Sequence, residues 1–360
     1  MANLKIANKT VLVLVDFFLP VQNLTPTLEI LTKNKNKIIV VSDFGRETLD
    51  LHAAALAEAM KRKFIVLKKN INKLPEYDIP HMYFASDTKL LSQMRSGDIV
   101  VVENLNLLSR FETNELSKLA EVFVNDAFGA DESLIKMLAQ NLSKQEGLES
   151  LRQKKSLDLF LSRSKKPLIL VLGGVDFSGK EAVLDNMMHK AEIVLVGGAI
   201  ANLFLKIQGL EIGKSVIDNQ ADEKAVKKLL RDYRSKIKLP LDVVVATSSS
   251  TKIECVRPQQ IKAHQRILDI GPQTTLEFSK FIKQGKTLVW SGALGRVEEK
   301  KFAHGTSALL RLFASRCAKG HVVAAACGET ILPMLALEGS LTLLDVAQPK
   351  SLTLLKVLSQ

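Results

Sequence analysis

Short, continuously apolar runs recur along the chain at strand length. They are Val11–Val15, Lys37–Val41, Phe64–Leu67, Asp98–Val102, Val122–Val124, Leu168–Leu172, Ile193–Val196, Val243–Ala246, Thr287–Trp290 and His321–Ala326. They do not alternate with polar residues, the pattern of strands buried on both faces of a parallel sheet. Stretches with helical spacing lie between them, such as Leu49–Lys63, Asn114–Ala120 and Glu181–Lys190. The alternation predicts an α/β protein built on doubly wound parallel sheets.

Length divides the prediction in two. The chain has 360 residues, and a single core stops growing at roughly 250–300. Ser143 to Lys166 is polar, rich in Lys, Ser and Gln, and closes on Lys165–Lys166–Pro167. It reads as a linker with room for a helix. Two domains are expected, 1–150 and 151–345, joined by a hinge, with the tail 346–360 packing back on the first. Composition, 46% hydrophobic and 24% charged, is that of an ordinary globular protein. The net charge of +12 and pI near 9.4 suit nucleic acid, an anionic surface or a phosphorylated small molecule. The lysines are dispersed in short clusters such as Lys33, Lys35, Lys37 and Lys61, Arg62, Lys63. Solvated faces account for them, and nucleic acid is the less favoured partner. Cys255, Cys317 and Cys327 form no CxxC pair, against a disulfide framework or structural zinc. The apolar runs are too short to span a bilayer and Met1–Thr10 lacks signal-peptide character. No membrane partner, a cytoplasmic location and a monomer are expected.

The turns after the strands carry specific words: VLVLVDFFLP (Val11–Pro20), VSDFGR (Val41–Arg46), Glu103–Asn104, VNDAFG (Val124–Gly129), LGGVDFSGK (Leu172–Lys180) and VGGAIANLFLKIQGLEIG (Val196–Gly213). LPLDVVVA (Leu239–Ala246), DIGPQT (Asp269–Thr274), VWSGALG (Val289–Gly295) and CGET (Cys327–Thr330) follow. In this order, from about Thr10 to Leu344, the set resembles the phosphoglycerate kinase family. The resemblance implies two similar-sized domains: a first that binds phosphoglycerate through arginines and a histidine, and a second that binds Mg-ATP or Mg-ADP. Closure of the two would exclude water from the phosphoryl group.

On the nucleotide side, Gly173–Gly174, Gly197–Gly198 and Gly292/Gly295 each follow an apolar strand. Ligands bind at the carboxyl ends of such strands, and glycine lets backbone approach a phosphate or an adenine face. The resemblance places Lys180 on the nucleotide phosphates, as the retained catalytic candidate, and Glu298 on the ribose. It places Gly328, Glu329 and Thr330 where the family reads GGDT, a helix start that meets phosphate and magnesium. Glu329 in place of aspartate implies a weak magnesium contact through water. Asp176 stands where the family has a lysine beside the transferring phosphoryl group, and repels the charge a lysine would neutralise. Ser291 and Ala293 alter the Trp290 turn. The late GGGAS loop has AQPKS (Ala347–Ser351) as its nearest counterpart. Gly174–Lys180 also fits the GxxxxGK of a P-loop, but Glu181 occupies the Ser/Thr position that would bind magnesium.

On the substrate side, Asp16 and Arg46 match family positions. Leu14 and Phe18 replace polar partners, Asp43 and Leu108 replace histidines, and Asn106 replaces an arginine. The loop between Pro20 and Pro26 is short and lacks arginine. After VNDAFG the family continues with a histidine and an arginine, whereas this chain continues Ala130–Asp131–Glu132–Ser133. Arg95 and Arg110 are substitutes by position, with surface roles favoured. Phosphorylated carboxylates are bound by charge-assisted, often bidentate arginine bonds, and loss of one such group costs ~10²–10³ in rate. The favoured expectation is a degenerate family member, its phosphoglycerate site lost and its nucleotide binding weakened, serving in binding or regulation. The alternatives are an active phosphoglycerate kinase and a basic nucleic-acid or anionic-surface binder on the same fold.

Overall fold

The computed structural model describes residues 4–44, 48–68, 82–85, 91, 93–178, 180–247, 252–320, 322–337, 344, 346–348 and 355. These form two compact units, Met1–Lys155 and Ser156–Gln360.

The first unit is built on seven parallel strands: β1 (Thr10–Leu14), β2 (Lys37–Val41), β3 (Phe64–Leu67), β4 (Met82–Ala85), β5 (Ile99–Val102), β6 (Val122–Asn125) and β7 (Ser143–Glu146). Their order is β4-β3-β5-β2-β1-β6-β7. Continuous apolar strands are what this sheet needs, because both faces are covered. Val11, Val13, Ile38 and Val40 pack on one face with Leu24, Leu28 and Leu31 of α1 (Val21–Lys33) and Ala53, Leu56 and Ala57 of α2 (Asp50–Met60). Leu12, Leu14, Ile39 and Val41 face the other core, with Leu116 of α3 (Arg110–Ser117) and Leu138 of α4 (Glu132–Leu138). Helix starts are encoded locally. Ser109 and Glu112 form a capping box on α3, and Asp131 accepts the Ser133 N–H at 2.7 Å to cap α4.

The division between units falls inside α5 (Leu148–Arg163). The second unit continues with β8 (Leu168–Leu172), α6 (Glu181–Lys190), β9 (Ile193–Val196), α7 (Gly198–Ile207), α8 (Glu223–Asp232) and β10 (Ile237–Lys238). Then come β11 (Val243–Ala246), β12 (Ile253–Val256), β13 (Arg266–Ile270), α9 (Pro272–Gln284) and β14 (Thr287–Ser291). The last elements are α10 (His304–Ala318), β15 (Val323–Cys327), α11 (Ile331–Leu337) and β16 (Val346–Gln348). The main sheet is parallel, in the order β10-β9-β8-β14-β15-β16, and β12-β11-β13 is a separate antiparallel sheet. Trp290 on β14 is fully buried, edge-on to Phe313 at 5.5 Å.

Several expectations need correction. Ser143–Glu146, expected as linker, is an edge strand whose side chains are all exposed, so it has no apolar signal. Val243–Ala246, expected in a parallel sheet, is the centre of the small antiparallel one. The boundary expected after residue 150 lies at 155/156. The stretch from Pro20 to Pro26, expected as a shortened loop, is the first part of α1, with Pro26 inside the helix. Val346–Gln348 of the tail pairs with β15 in the second unit's sheet. The rest of the tail, apart from the buried Leu355, lies outside the described residues.

Candidate nucleotide pocket and the edge of the first sheet

In the second unit the chain steps from β8 outward to β9 and β10, then returns to the other side of β8 with β14. Adjacent strands whose connections leave in opposite directions open a crevice at their carboxyl ends. A cavity of about 670 Å³ lies there, within the range of small-molecule sites. Gly173, Gly174, Asp176, Lys180, Gly198, Gly292, Glu298, Gly328, Glu329 and Thr330 all line it. The structure thus brings together nine of the ten residues expected on the nucleotide, with Asp176 beside them. Gly197 is the exception: a Cβ there would lie 2.7 Å from the Leu294 side chain, so it serves packing.

The glycines also let three turns meet backbone to backbone. The Gly174 N–H donates to the Ala293 carbonyl at 2.7 Å, and the Gly198 N–H to that of Leu294 at 2.9 Å. Gly292 has φ +78°, and a Cβ on it would lie 2.5 Å from the Gly173 carbonyl oxygen. The turn after β8 has its own internal anchor. Asp218 accepts the N–H groups of Phe177 at 2.8 Å and Ser178 at 2.7 Å. The Ser178 and Phe177 bonds hold its carboxyl well below the usual carboxylate range. A P-loop would offer such N–H groups to phosphate; here a carboxylate already occupies them, and Glu181 opens the helix. Lys180 donates to the Asp176 carbonyl at 3.0 Å, so the retained lysine and the acid share one turn.

Asp269, Asn202 and Arg266 are among the pocket residues that carried no expectation from sequence. Asp269 is 2% exposed and accepts the Gly305 N–H at 2.8 Å and the Ile270 N–H at 2.9 Å. Burial pushes its carboxyl up to about 6. Asn202 and Arg266 line the same cavity. Asn202 and Asp269 lie inside words already quoted, but only helix and strand direction shows that they face the cavity. Arg266 has no such signal. The pocket's charged side chains are Asp176, Lys180, Arg266, Asp269, Arg296, Glu298 and Glu329. Carboxyl groups outnumber cations, and Arg296 is paired with Glu299 at 3.1 Å, so the cavity is weakly charged for a polyphosphate site. Among the described residues no group of three or more His, Cys, Asp or Glu could hold a metal ion. Magnesium at Glu329 would therefore depend on phosphate oxygens and water for most of its ligands.

At the carboxyl edge of the first sheet, Asp16 accepts the Phe18 N–H at 3.0 Å. Phe18 lies 4.3 Å from Phe44, and Phe44 4.3 Å from His52, ring centre to ring centre. Asn104 donates its side-chain amide to the Phe44 carbonyl, and Asn106 donates to the Asp43 carbonyl at 3.0 Å. The residue in the family's arginine position thus ties down the neighbouring turn. Arg46 lies outside the described residues. Arg95 precedes β5, at the opposite edge of the sheet, and Arg110 is exposed on the first turn of α3. Of the new acids, Asp131 caps α4, and Glu132 pairs with Lys136 at 3.6 Å in solvent. Deeper in this unit, Lys68 is 2% exposed and pairs with Asp50 at 2.5 Å. Burial raises the pKa of the adjacent Glu103.

Fold and pocket define a two-unit, parallel-sheet α/β protein with a small-molecule-sized cavity at the switch point of its second sheet. The model of the phosphoglycerate kinase family matches residues 1–338. The chain is 31% identical to a phosphoglycerate kinase of Pelotomaculum thermopropionicum over 338 residues, 87% of this chain and 84% of that one. It is also 31% identical to one of Wolbachia pipientis wMel over 361 residues, 94% and 89% of the two chains. The solved phosphoglycerate kinase of Pyrococcus horikoshii superposes with a TM-score of 0.72 at 19% identity, covering 98% of this chain and 94% of that one. That of Coxiella burnetii gives 0.66 at 23%, covering 100% and 95%. The chain belongs to the phosphoglycerate kinase family.

Proposed function

We propose that this protein is a family member that has lost phosphoglycerate binding, keeps a weakened nucleotide site in its second unit, and acts by binding rather than by phosphoryl transfer. The observation that carries the proposal is the carboxyl edge of the first sheet. Where a phosphorylated carboxylate needs converging cations, this edge has Phe18 and Phe44 with His52, and amides spent on backbone carbonyls. Asp176 adds a negative charge beside Lys180 in the second unit's cavity. Mg-ADP or Mg-ATP would be held there by Lys180, the glycine turns, Glu298 and the Gly328–Thr330 turn. Bound magnesium would neutralise phosphate charge, while the chain's own groups orient the nucleotide. No helix among the described residues is long and apolar enough to cross a membrane.

Separate calorimetric titrations of ADP and 3-phosphoglycerate test the proposal. Weak saturable ADP binding and no heat from 3-phosphoglycerate are expected. The competing reading, a working phosphoglycerate kinase, is favoured by the assembled cavity and by family membership. A coupled assay giving turnover at roughly 1–100 s⁻¹, the usual range for kinases, would establish it and overturn ours. Salt-sensitive binding to DNA or RNA would instead support a nucleic-acid role for the +12 charge.

A further inference from the structure

The features that could grip a phosphate at the second unit's cavity are each offset within the chain. In the turn after β8, the Phe177 and Ser178 N–H groups donate to Asp218 at 2.8 and 2.7 Å. Phe177, Ser178 and Asp218 all stand outside the cavity wall, so these donors serve the turn rather than a ligand. Lys180, which does line the cavity, donates its ammonium back to the Asp176 carbonyl at 3.0 Å. The start of α6, a positive helix end that would favour an anion, is opened by Glu181. The Gly328–Thr330 turn brings a carboxylate of its own, Glu329. Charge runs the same way. Asp176, Glu298 and Glu329 are exposed in the wall, while Arg296 is shared with Glu299 at 3.1 Å. A cavity of about 670 Å³ has the volume of a sphere roughly 11 Å across, about one Debye length at roughly 0.1 M salt. These carboxylates therefore act on a ligand inside it without having to touch it.

What remains suits a base and a sugar. Leu172, Leu184, Ile200, Ile267 and Leu294 line the cavity together with the glycine turns, apolar surface of the kind that takes a flat ring. Glu298 can accept from sugar hydroxyls and gains nothing from a phosphate. The inference rests on the nucleotide reading above and ranks its ligands. We propose that the cavity takes a nucleoside in preference to its phosphates, because the carboxylates of its wall repel each phosphate added. A first phosphate brings about −1.5 to −2 charge at pH 7, and every further one adds to it. ADP and ATP bind only as far as magnesium offsets that charge.

The test is calorimetric titration of the full-length chain with adenosine, AMP, ADP and ATP, each without magnesium. Adenosine is expected to bind tightest and ATP roughly 10-fold more weakly or worse, the order of repulsion that unit charges about 4 Å apart exert in water. The spread should narrow as salt is raised. Asp176→Lys, at an exposed position, should bring ADP and ATP level with adenosine or past it. Should that variant fail to fold, the wild-type ranking still decides. ADP or ATP binding the wild-type chain as tightly as adenosine overturns the inference and leaves nucleotide binding standing. A spread that Asp176→Lys leaves untouched overturns it as well, because its cause is then not the charge of the wall. Absence of binding by all four overturns both.

Discussion

Asp242 is the clearest place to test how this fold supports its pocket. It lies just before β11, is 5% exposed, and reaches the start of α9. One carboxylate oxygen accepts the Thr274 N–H and the Thr274 hydroxyl, each at 2.7 Å. The other accepts the Gln273 N–H at 3.0 Å and the Cys255 thiol at 3.2 Å. Gly271 must be glycine there, because a Cβ would lie 2.2 Å from the Asp242 carboxyl carbon. Asp242→Ala removes a helix cap, worth ~0.5–2 kcal/mol. It also strands buried donors at ~1–3 kcal/mol. The expected loss is about 3 kcal/mol, or roughly 6–12 °C in Tm for a unit of this size. Asp242→Asn, which keeps one acceptor, should lose less. Burial pushes the Asp242 carboxyl upward, but the bonds from Thr274 and Gln273 outweigh it and leave the pKa below its ordinary value. Its contribution is therefore complete above the unfolded value near 4 and fades as pH falls through the lower folded value. Trp290 is the chain's one tryptophan and is buried in this unit, so guanidinium unfolding followed by its fluorescence reads the effect directly. A loss under about 1 kcal/mol for Asp242→Ala would refute the reasoning.

Lys68→Met should cost the first unit ~3–5 kcal/mol by leaving Asp50 buried and unpaired. Calorimetry should show the loss largely reversed in the Lys68→Met/Asp50→Asn double variant, and a neutral single variant would refute the pairing. Gly292→Ala forces a side chain into left-handed backbone and against the Gly173 carbonyl. A loss of roughly 2–5 kcal/mol is expected, with weaker nucleotide binding in titration. For Asp269 the folded pKa, about 6, lies above the unfolded one. The folded state then holds the proton more tightly, so this group's contribution falls as pH rises from 4 to 6. Thermal melts across that window should lose the corresponding slope in Asp269→Asn.

How much of this was legible beforehand varies with the physics. Strands such as Lys37–Val41 and Leu168–Leu172 announce themselves, because burial on both faces demands an unbroken apolar run. The edge strand Ser143–Glu146 does not, since its side chains meet water and its pairing is carried by backbone. The glycine turns and Lys180 were visible as words after strands. That Gly197 supports Leu294, or that Asn202 and Arg266 face the same cavity, was not.

Sequence alone determined the fold class and the kinds of charge available: an α/β chain with glycine turns after its strands, and Phe18, Asp43 and Asn106 where the family's words carry polar or basic residues. Those are local properties, written in runs and spacings of a few residues. Tertiary structure decided which side chains meet. Asp242 reaches from the start of β11 to cap α9, and Asp218 reaches from beyond α7 to fill the turn after β8. Asn106 ties down the turn that bears Asp43. Each bond joins positions tens of residues apart. Their partners become known only when the strands take their order in the sheet and the connections between them bring the turns together.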